Sequence, residues 1–197
     1  MTNSTVYDLY DLDISKINNE TVYYVNTNNW YWLTYDDAEM AQYQESCTSK
    51  IYDIYSNELT MLASSKLTFT EVANLVERQH MNDNRISSHR KKNFRQDAVR
   101  RNAVVDDIEL SIHQIEKMTS KSTFVEDLNS IPAQEYVDIL RKTVLDPTDA
   151  LMSAFITNND VVHIITDDID FYSVSGLKIY TYNKKMLKQA SADGNVG

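Results

Sequence analysis

Residues 146–171 read DPTDALMSAFITNNDVVHIITDDIDF, and this stretch predicts most of the architecture. Asp146 followed by Pro147 predicts a helix start, because Asp caps the first turn and Pro fits its first position. The helix is expected to run to about Asn158. Residues 161–166 (VVHIIT) form a β-branched run that is typical of a buried strand. A helix leading into a buried strand, with acidic residues directly after it, favours an α/β domain.

Two other stretches extend this pattern along the chain. Residues 21–35 (TVYYVNTNNWYWLTY) predict a strand over 22–25, which Asn26 ends because Asn favours turns and helix caps. Residues 177–182 (LKIYTY) predict a further strand after a turn at Gly176. Strands separated by helices predict a three-layer α/β/α fold with a central, mostly parallel sheet.

Helical spacing or composition covers most of the remaining chain. We expect helices over residues 30–41, 50–63, 66–80, 104–118 and 132–145, a helical start near residue 93, and a short apolar segment with Phe124 and Leu128. Within the third helix, Thr68 and Glu71 fit a capping box. The length of 197 residues suits one domain, expected over residues 21–188. Residues 1–20 are expected as a tail or edge extension and residues 189–197 as a polar tail.

Composition excludes several classes of protein. Cys47 is the one cysteine, which excludes internal disulfides and cysteine-rich zinc sites. Of three glycines, Gly176 alone lies in the body of the chain, which excludes GxGxxG and GxxxxGK[ST] phosphate loops. No apolar run is long enough to cross a membrane, and the acidic N-terminus is unlike a signal peptide. We therefore expect a cytoplasmic protein with no membrane partner.

Charge is unevenly distributed. The net charge is -10, yet residues 85–101 carry seven Lys or Arg and one Asp, a local charge of about +6. Two interpretations are open for this basic segment. It is either a footprint for the phosphate backbone of RNA, or else a solvated helix face or a contact with an acidic partner. The candidate RNA-binding residues are Arg90, Lys91, Lys92, Arg95, Arg100 and Arg101.

Four oxygen-bearing side chains are expected to converge at the carboxyl edge of the sheet. Asn26 and Asp168 each follow a predicted strand, while Glu71 and Asp149 lie in the first turns of predicted helices. Each has a purely local interpretation as a turn or helix-capping residue. Together, however, converging carboxylates raise one another's pKa unless a cation neutralises them, and hard oxygen ligands select Mg²⁺ or Mn²⁺. Such a site suits cleavage of a phosphodiester by a metal-oriented water.

The same stretches resemble the PIN domain, a family of metal-dependent ribonucleases that includes the toxins of toxin–antitoxin pairs. The matches are YYVNTNNWYWLTY, KLTFTEVANLV and DPTDALMSAFITNNDVVHIITDDIDF, followed by GLKIYTY as the final strand. They are scattered between residues 22 and 182, and residues 80–130 carry no motif of the family. The third match is the most specific of them.

The resemblance implies Mg²⁺- or Mn²⁺-dependent cleavage of RNA at one acidic pocket. The implied catalytic positions are Asn26, Glu71, Asp149 and Asp168, and the implied metal ligands are Glu71, Asp149, Asp168 and Asp170. Thr27 and Thr166 are expected to orient the carboxylates by hydrogen bonds. The resemblance also implies an antitoxin-like protein and a second copy of the chain as partners.

One position departs from the family, where aspartate is usual and this chain has Asn26. Asn is nearly isosteric with Asp, but it is neutral and offers a metal only one weak carbonyl ligand. Three interpretations remain: an engineered inactivating replacement, a natural member that binds without cleaving, or slow turnover by the other acids. The first is favoured because the other three acids are present. The alternative function is a non-cleaving PIN-fold module that binds RNA or protein.

Overall fold

The computed structural model describes residues 4–122, 124, 126–127 and 130–197. Within them, five strands form one sheet in the order β1-β5-β4-β2-β3, and every neighbouring pair is parallel. The strands are β1 (Thr5–Asp8), β2 (Thr21–Val25), β3 (Thr60–Ala63), β4 (His163–Ile165) and β5 (Lys178–Thr181). The helices are α1 (Thr27–Thr34), α2 (Gln42–Ser56), α3 (Lys66–Asp83), α4 (Lys91–Gln96), α5 (Ala98–Thr119), α6 (Ala133–Lys142), α7 (Pro147–Asn158) and α8 (Lys184–Asp193).

Helices cover both faces of this sheet, which confirms the three-layer α/β/α prediction. Alternate strand residues point to opposite faces, so Tyr23 and Val25 pack with α1, α2, α3 and α5. Tyr24 points the other way, into a second core that includes buried residues of α7 and α8. Burial on both faces explains why β2 and β4 read as near-continuous apolar runs.

The path of the chain through the sheet creates a switch point between β2 and β4. From β2 the chain continues to the neighbouring edge strand β3, whereas from β4 it continues to β5 on the opposite side. Connections that leave in opposite directions open a crevice beyond the carboxyl ends of these two strands. β2 and β4 are parallel neighbours, with Tyr24 opposite Ile164, so their carboxyl ends lie at the same edge of the sheet.

Several elements differ from their sequence-based expectation, among them α2, which covers residues 42–56 and not 50–63. Residues 60–63, expected as helix, form β3, because pairing with β2 outweighs the helical spacing. The first helix covers residues 27–34 and not 30–41, since Asn26 already caps it. Residues 184–193, expected in part as polar tail, form α8, which buries Met186 and Ala190.

The two ends of the chain also have defined structure. Residues 5–8 form the edge strand β1, in line with one of the two expectations for the N-terminal segment. Gly194 ends α8 in a left-handed conformation with φ of 73°, and Val196 then bridges to Val6 beside β1. Phe124 lies 5.4 Å from the ring of Tyr24, whereas Leu128 lies outside the described residues.

The helices of the described part of the chain include none that could span a membrane. None of them combines the length and the apolar character that crossing a bilayer requires.

Candidate metal centre and nucleic-acid interface

The candidate site occupies the crevice at the switch point. Asn26 follows β2 and extends its ladder by donating its backbone N–H to the carbonyl of Ile165 at 3.0 Å. Thr166 follows β4 on the neighbouring strand and is fully buried. The side chains of Asn26 and Thr166 therefore meet, with Nδ2 of the amide donating to Oγ1 of the threonine at 3.0 Å.

Asn26 is held by two hydrogen bonds and is only 4% exposed. Its Oδ1 accepts from the backbone N–H of Thr27 at 2.7 Å, which caps α1. The local interpretation as a cap is thus correct, and the residue still lines the crevice. An aspartate in this place would keep the cap, because Asp and Asn cap helices about equally well. Its second oxygen would accept from the hydroxyl of Thr166, which is able to rotate.

Glu71 projects from α3 toward the same crevice. Ser65, and not Thr68, caps this helix by accepting from the backbone N–H of Thr68 at 3.3 Å, so the expected capping box is wrong. Glu71 is instead bound by Thr27, whose hydroxyl donates to the carboxylate at 2.5 Å. Burial raises the pKa of Glu71, and Asp146 adds to this, while the bond from Thr27 opposes it.

Asp149 is the most strongly perturbed group of the site. It lies in the first turn of α7, where Asp146 caps the helix by accepting from the backbone N–H groups of Thr148 and Asp149. Burial raises the pKa of Asp149 to about 7, and the neighbouring carboxylates Asp146, Asp168, Glu71 and Asp170 contribute to the shift. A carboxyl group surrounded by others of its kind takes up a proton or a cation near neutral pH.

Asp168 is oriented by its neighbours on the loop after β4. Its backbone N–H donates to Oγ1 of Thr166 at 3.0 Å, and its Oδ1 accepts from the backbone N–H of Asp170 at 2.9 Å. Burial and the charges of Asp170 and Asp146 raise its pKa, against the bond from Asp170. Asp167 faces away and accepts from the hydroxyl of Thr181 and the backbone of Tyr182.

These side chains line one pocket of about 280 Å³. Its walls are Asn26, Thr27, Asn28, Glu71, Asn74, Leu75, Arg78, Asp146, Asp149 and Asp168. Of the predicted site residues, Asn26, Thr27, Glu71, Asp149 and Asp168 are together here. Thr166 lies beneath the wall, bonded to Asn26 and Asp168. Asp170 acts on the pocket through its charge and is not among its lining residues.

Sequence reasoning missed three polar residues of the pocket wall, Asn28, Asn74 and Arg78. Asn74 and Arg78 follow Glu71 by three and seven residues, which is the spacing of one helix face. Arg78 is the one cation among the residues that line the pocket. Asp146 caps α7 and also lines the pocket.

The pocket offers oxygen ligands to a divalent cation. Among the described residues, no group of three or more His, Cys, Asp or Glu stands ready to hold a metal ion. The donor set nevertheless fits Mg²⁺ or Mn²⁺ chemically, because it consists of carboxylate and amide oxygens, and burial together with the neighbouring carboxylates raises the pKa of Asp149. Mg²⁺ sites commonly use one or two carboxylates and complete the shell with waters and substrate phosphates.

The basic segment folds against a buried acid. Glu77 of α3 is 3% exposed at its side chain and binds three of the six predicted RNA-binding residues. Arg95 donates to both of its oxygens, from Nε at 2.5 Å and from Nη2 at 2.7 Å. Lys91 lies at 2.7 Å and Arg101 at 3.7 Å. The bonds and charges of Arg95 and Lys91 lower the pKa of Glu77 to about 2, against the effect of its burial.

The other three basic residues are placed differently. Arg100 pairs with Asp97 at 3.6 Å on its own helix. Arg90 and Lys92 form no ion pair within the described part of the chain, and both are exposed. The segment thus combines a structural role with exposed positive charge.

Comparison with known proteins adds no relative. No protein-family model, no curated protein and no solved structure matches this chain. The resemblance to PIN domains therefore stays a prediction that rests on the motifs of the sequence.

Proposed function

We propose that this protein is a PIN-like endoribonuclease that depends on Mg²⁺ or Mn²⁺, and that Asn26 impairs its cleavage. The observation that carries the proposal is the pocket at the switch point, which Glu71, Asp149 and Asp168 all line and where burial raises the pKa of Asp149 to about 7. Acidic groups held close together in a cleft are typical of sites that need a cation or transfer a proton.

Glu71, Asp149 and Asp168 are the residues that would hold the metal ion, with Asp170 adding negative charge behind them. When bound, the ion supplies an oriented and acidified water and offsets the charge that develops on the phosphate. Thr27 fixes the carboxylate of Glu71, and Thr166 fixes the loop that carries Asp168. Both threonines thus reduce the freedom of the carboxylates before any ligand arrives.

Arg78 and Asn74 line the pocket beside its carboxylates. The guanidinium of Arg78 offers planar donors that suit the oxygens of a phosphate, and its charge offsets part of the negative potential of the pocket. A phosphodiester approaching four carboxylates needs such a cation in addition to the metal. The arrangement therefore favours a phosphate substrate over a neutral one.

A specific observation favours the alternative function, a module that binds RNA or protein without cleaving. Both polar atoms of Asn26 are engaged by Thr27 and Thr166, so the amide has a settled structural role without any metal. A neutral side chain there lowers the negative charge of the pocket and weakens its hold on a cation. Cleavage by the Asn26→Asp form separates the two functions.

Metal binding tests the proposal first. We expect calorimetric titration of Mn²⁺ into the chain to show one saturable site, and the Asp149→Asn variant to lose it or to weaken it at least tenfold. The matched control is Asp160→Asn, which removes an exposed acid just beyond the other end of α7. Equal binding by the parent and the Asp149→Asn variant would remove Asp149 from the site.

A further inference from the structure

Three cations share one buried carboxylate of α3, and they come from α4 and the first turn of α5. Lys91, Arg95 and Arg101 all lie within 3.7 Å of Glu77, so the cluster of these four residues carries a net charge of about +2. One cation would be enough to neutralise a buried acid. Arg95 already donates to both oxygens of this carboxylate, so the other two cations repel one another and add positive charge that no further acid of the cluster offsets.

The cations of this cluster are only partly covered. Their side chains are 39% exposed for Lys91, 48% for Arg95 and 43% for Arg101. Arg95 uses Nε and Nη2 for Glu77, which leaves its Nη1 group outside that pair. Partly exposed cations that are ordered by a buried acid lose little side-chain freedom when a second anion binds.

The cluster borders a groove that adjoins the candidate metal pocket. The groove has a volume of about 360 Å³, with Phe69 and Ala73 on its apolar side and Arg95 and Arg101 on its charged side. Asn74 lines both the groove and the metal pocket, so the two adjoin across the exposed surface of α3. Glu71 and Glu77 are six residues apart on that helix, a rise of about 9 Å.

We propose that the cluster around Glu77 is a subsite for a backbone phosphate of single-stranded RNA, next to the position that is cleaved. This inference rests on the proposed function, because it takes the metal pocket as the place where the strand is cut. A backbone phosphate would supply a second anion to the cations around Glu77. The RNA strand would then cross α3 at Asn74, between this cluster and the candidate metal pocket. An acidic segment of a partner protein could also bind the cluster. An RNA strand is favoured because it would occupy both the cluster and the adjoining pocket.

The test measures binding of a labelled 12-nucleotide single-stranded RNA to the full chain, with a chelator present so that no cleavage occurs. Arg101→Gln removes the most distant of the three cations and leaves Arg95 and Lys91 on Glu77. We expect a three- to tenfold loss of affinity and a salt dependence whose slope is shallower by about 0.7, the share of one phosphate contact on a single strand. Arg101→Lys, which keeps the charge, should restore most of the slope.

Arg141→Gln is the matched control, because Arg141 is an exposed arginine whose own partner, Asp138, lies at a similar 3.5 Å. It should leave affinity and slope unchanged. An unchanged slope in Arg101→Gln, or no RNA binding by the parent chain, would overturn the subsite. Cleavage by the Asn26→Asp form together with an unchanged slope would overturn the subsite alone. An Arg101-dependent slope without any cleavage would instead retain the subsite and remove the nuclease.

Discussion

Thr166 connects the two strand ends that form the candidate site. Its hydroxyl oxygen accepts from the amide of Asn26 and from the backbone N–H of Asp168, both at 3.0 Å. A carboxylate at position 26 would reverse one of these bonds, since the hydroxyl would then donate to it and still accept from Asp168. The Asn26→Asp change is therefore accommodated without moving the backbone, and its main effect is one added negative charge.

Asp149 makes the stability of the metal-free protein depend on pH. Its pKa rises from 3.8 to about 7 on folding, so the native state binds the extra proton between these values. The contribution of Asp149 to stability is accordingly expected to fall as pH rises from about 4 to about 7 and then to level off. At pH 8 without metal, Asp149→Asn should be more stable than the parent by roughly 1 to 2 kcal/mol, a figure reduced because the group is partly exposed.

Urea denaturation at pH 5 and pH 8, with a chelator present, measures this difference. Asp160→Asn again serves as the control and should change stability equally at both pH values. An Asp149→Asn variant that differs from the parent by the same free energy of unfolding at pH 5 and at pH 8 would contradict the assigned environment of Asp149.

The elements that carry strong local signals were predictable from sequence. Asp146 and Pro147 set the start of α7, and the β-branched run of residues 161–166 contains β4. Both signals are local, because capping and side-chain shape act within a few residues. These elements, with β2, are enough to predict where Asn26, Asp149 and Asp168 would meet.

Elements set by distant contacts were not predictable in the same way. β3 has four residues, and its identity comes from pairing with β2 rather than from its own sequence. The partnership of Glu77 with Arg95 also joins two helices and has no local signature. Arg78 could have been found from its helical spacing to Glu71, but the charge of one arginine gave no reason to select it.

Glu77 is expected to hold α4 and α5 against α3. Replacing it by glutamine keeps the shape but removes the charge that orders the three cations, which then repel one another. We expect Glu77→Gln to lower the free energy of unfolding by about 1 to 3 kcal/mol, the scale of lost hydrogen bonds to a charged group. Chemical denaturation followed by circular dichroism measures the change.

Glu116→Gln is the control for this experiment, because Glu116 is an exposed acid on α5 and its replacement should cost less than about 0.5 kcal/mol. Equal effects of the two substitutions would show that the cluster around Glu77 adds nothing to stability.

At the scale of the whole molecule, the charge distribution sets how RNA would approach. The net charge of -10 repels a polyanion, so productive encounters depend on the few regions of positive potential. The described structure places the cluster around Glu77 next to the candidate pocket, joined to it by the surface of α3 at Asn74. RNA binding should therefore be weak, local and strongly reduced by salt. An antitoxin-like partner and a homodimer remain predictions from the family resemblance.

The most direct test of the account compares this chain with its Asn26→Asp form on labelled RNA in the presence of Mn²⁺. Parallel samples contain a chelator. An Asn26→Asp/Glu71→Gln double variant, purified in the same way, controls for contaminating ribonuclease. We predict cleavage by the Asn26→Asp form on the order of 100-fold faster than by the parent, abolished by the chelator and absent from the double variant. The nuclease account is wrong if the parent and the Asn26→Asp form both fold and neither cleaves the RNA. It is also wrong if the double variant cleaves as fast as Asn26→Asp.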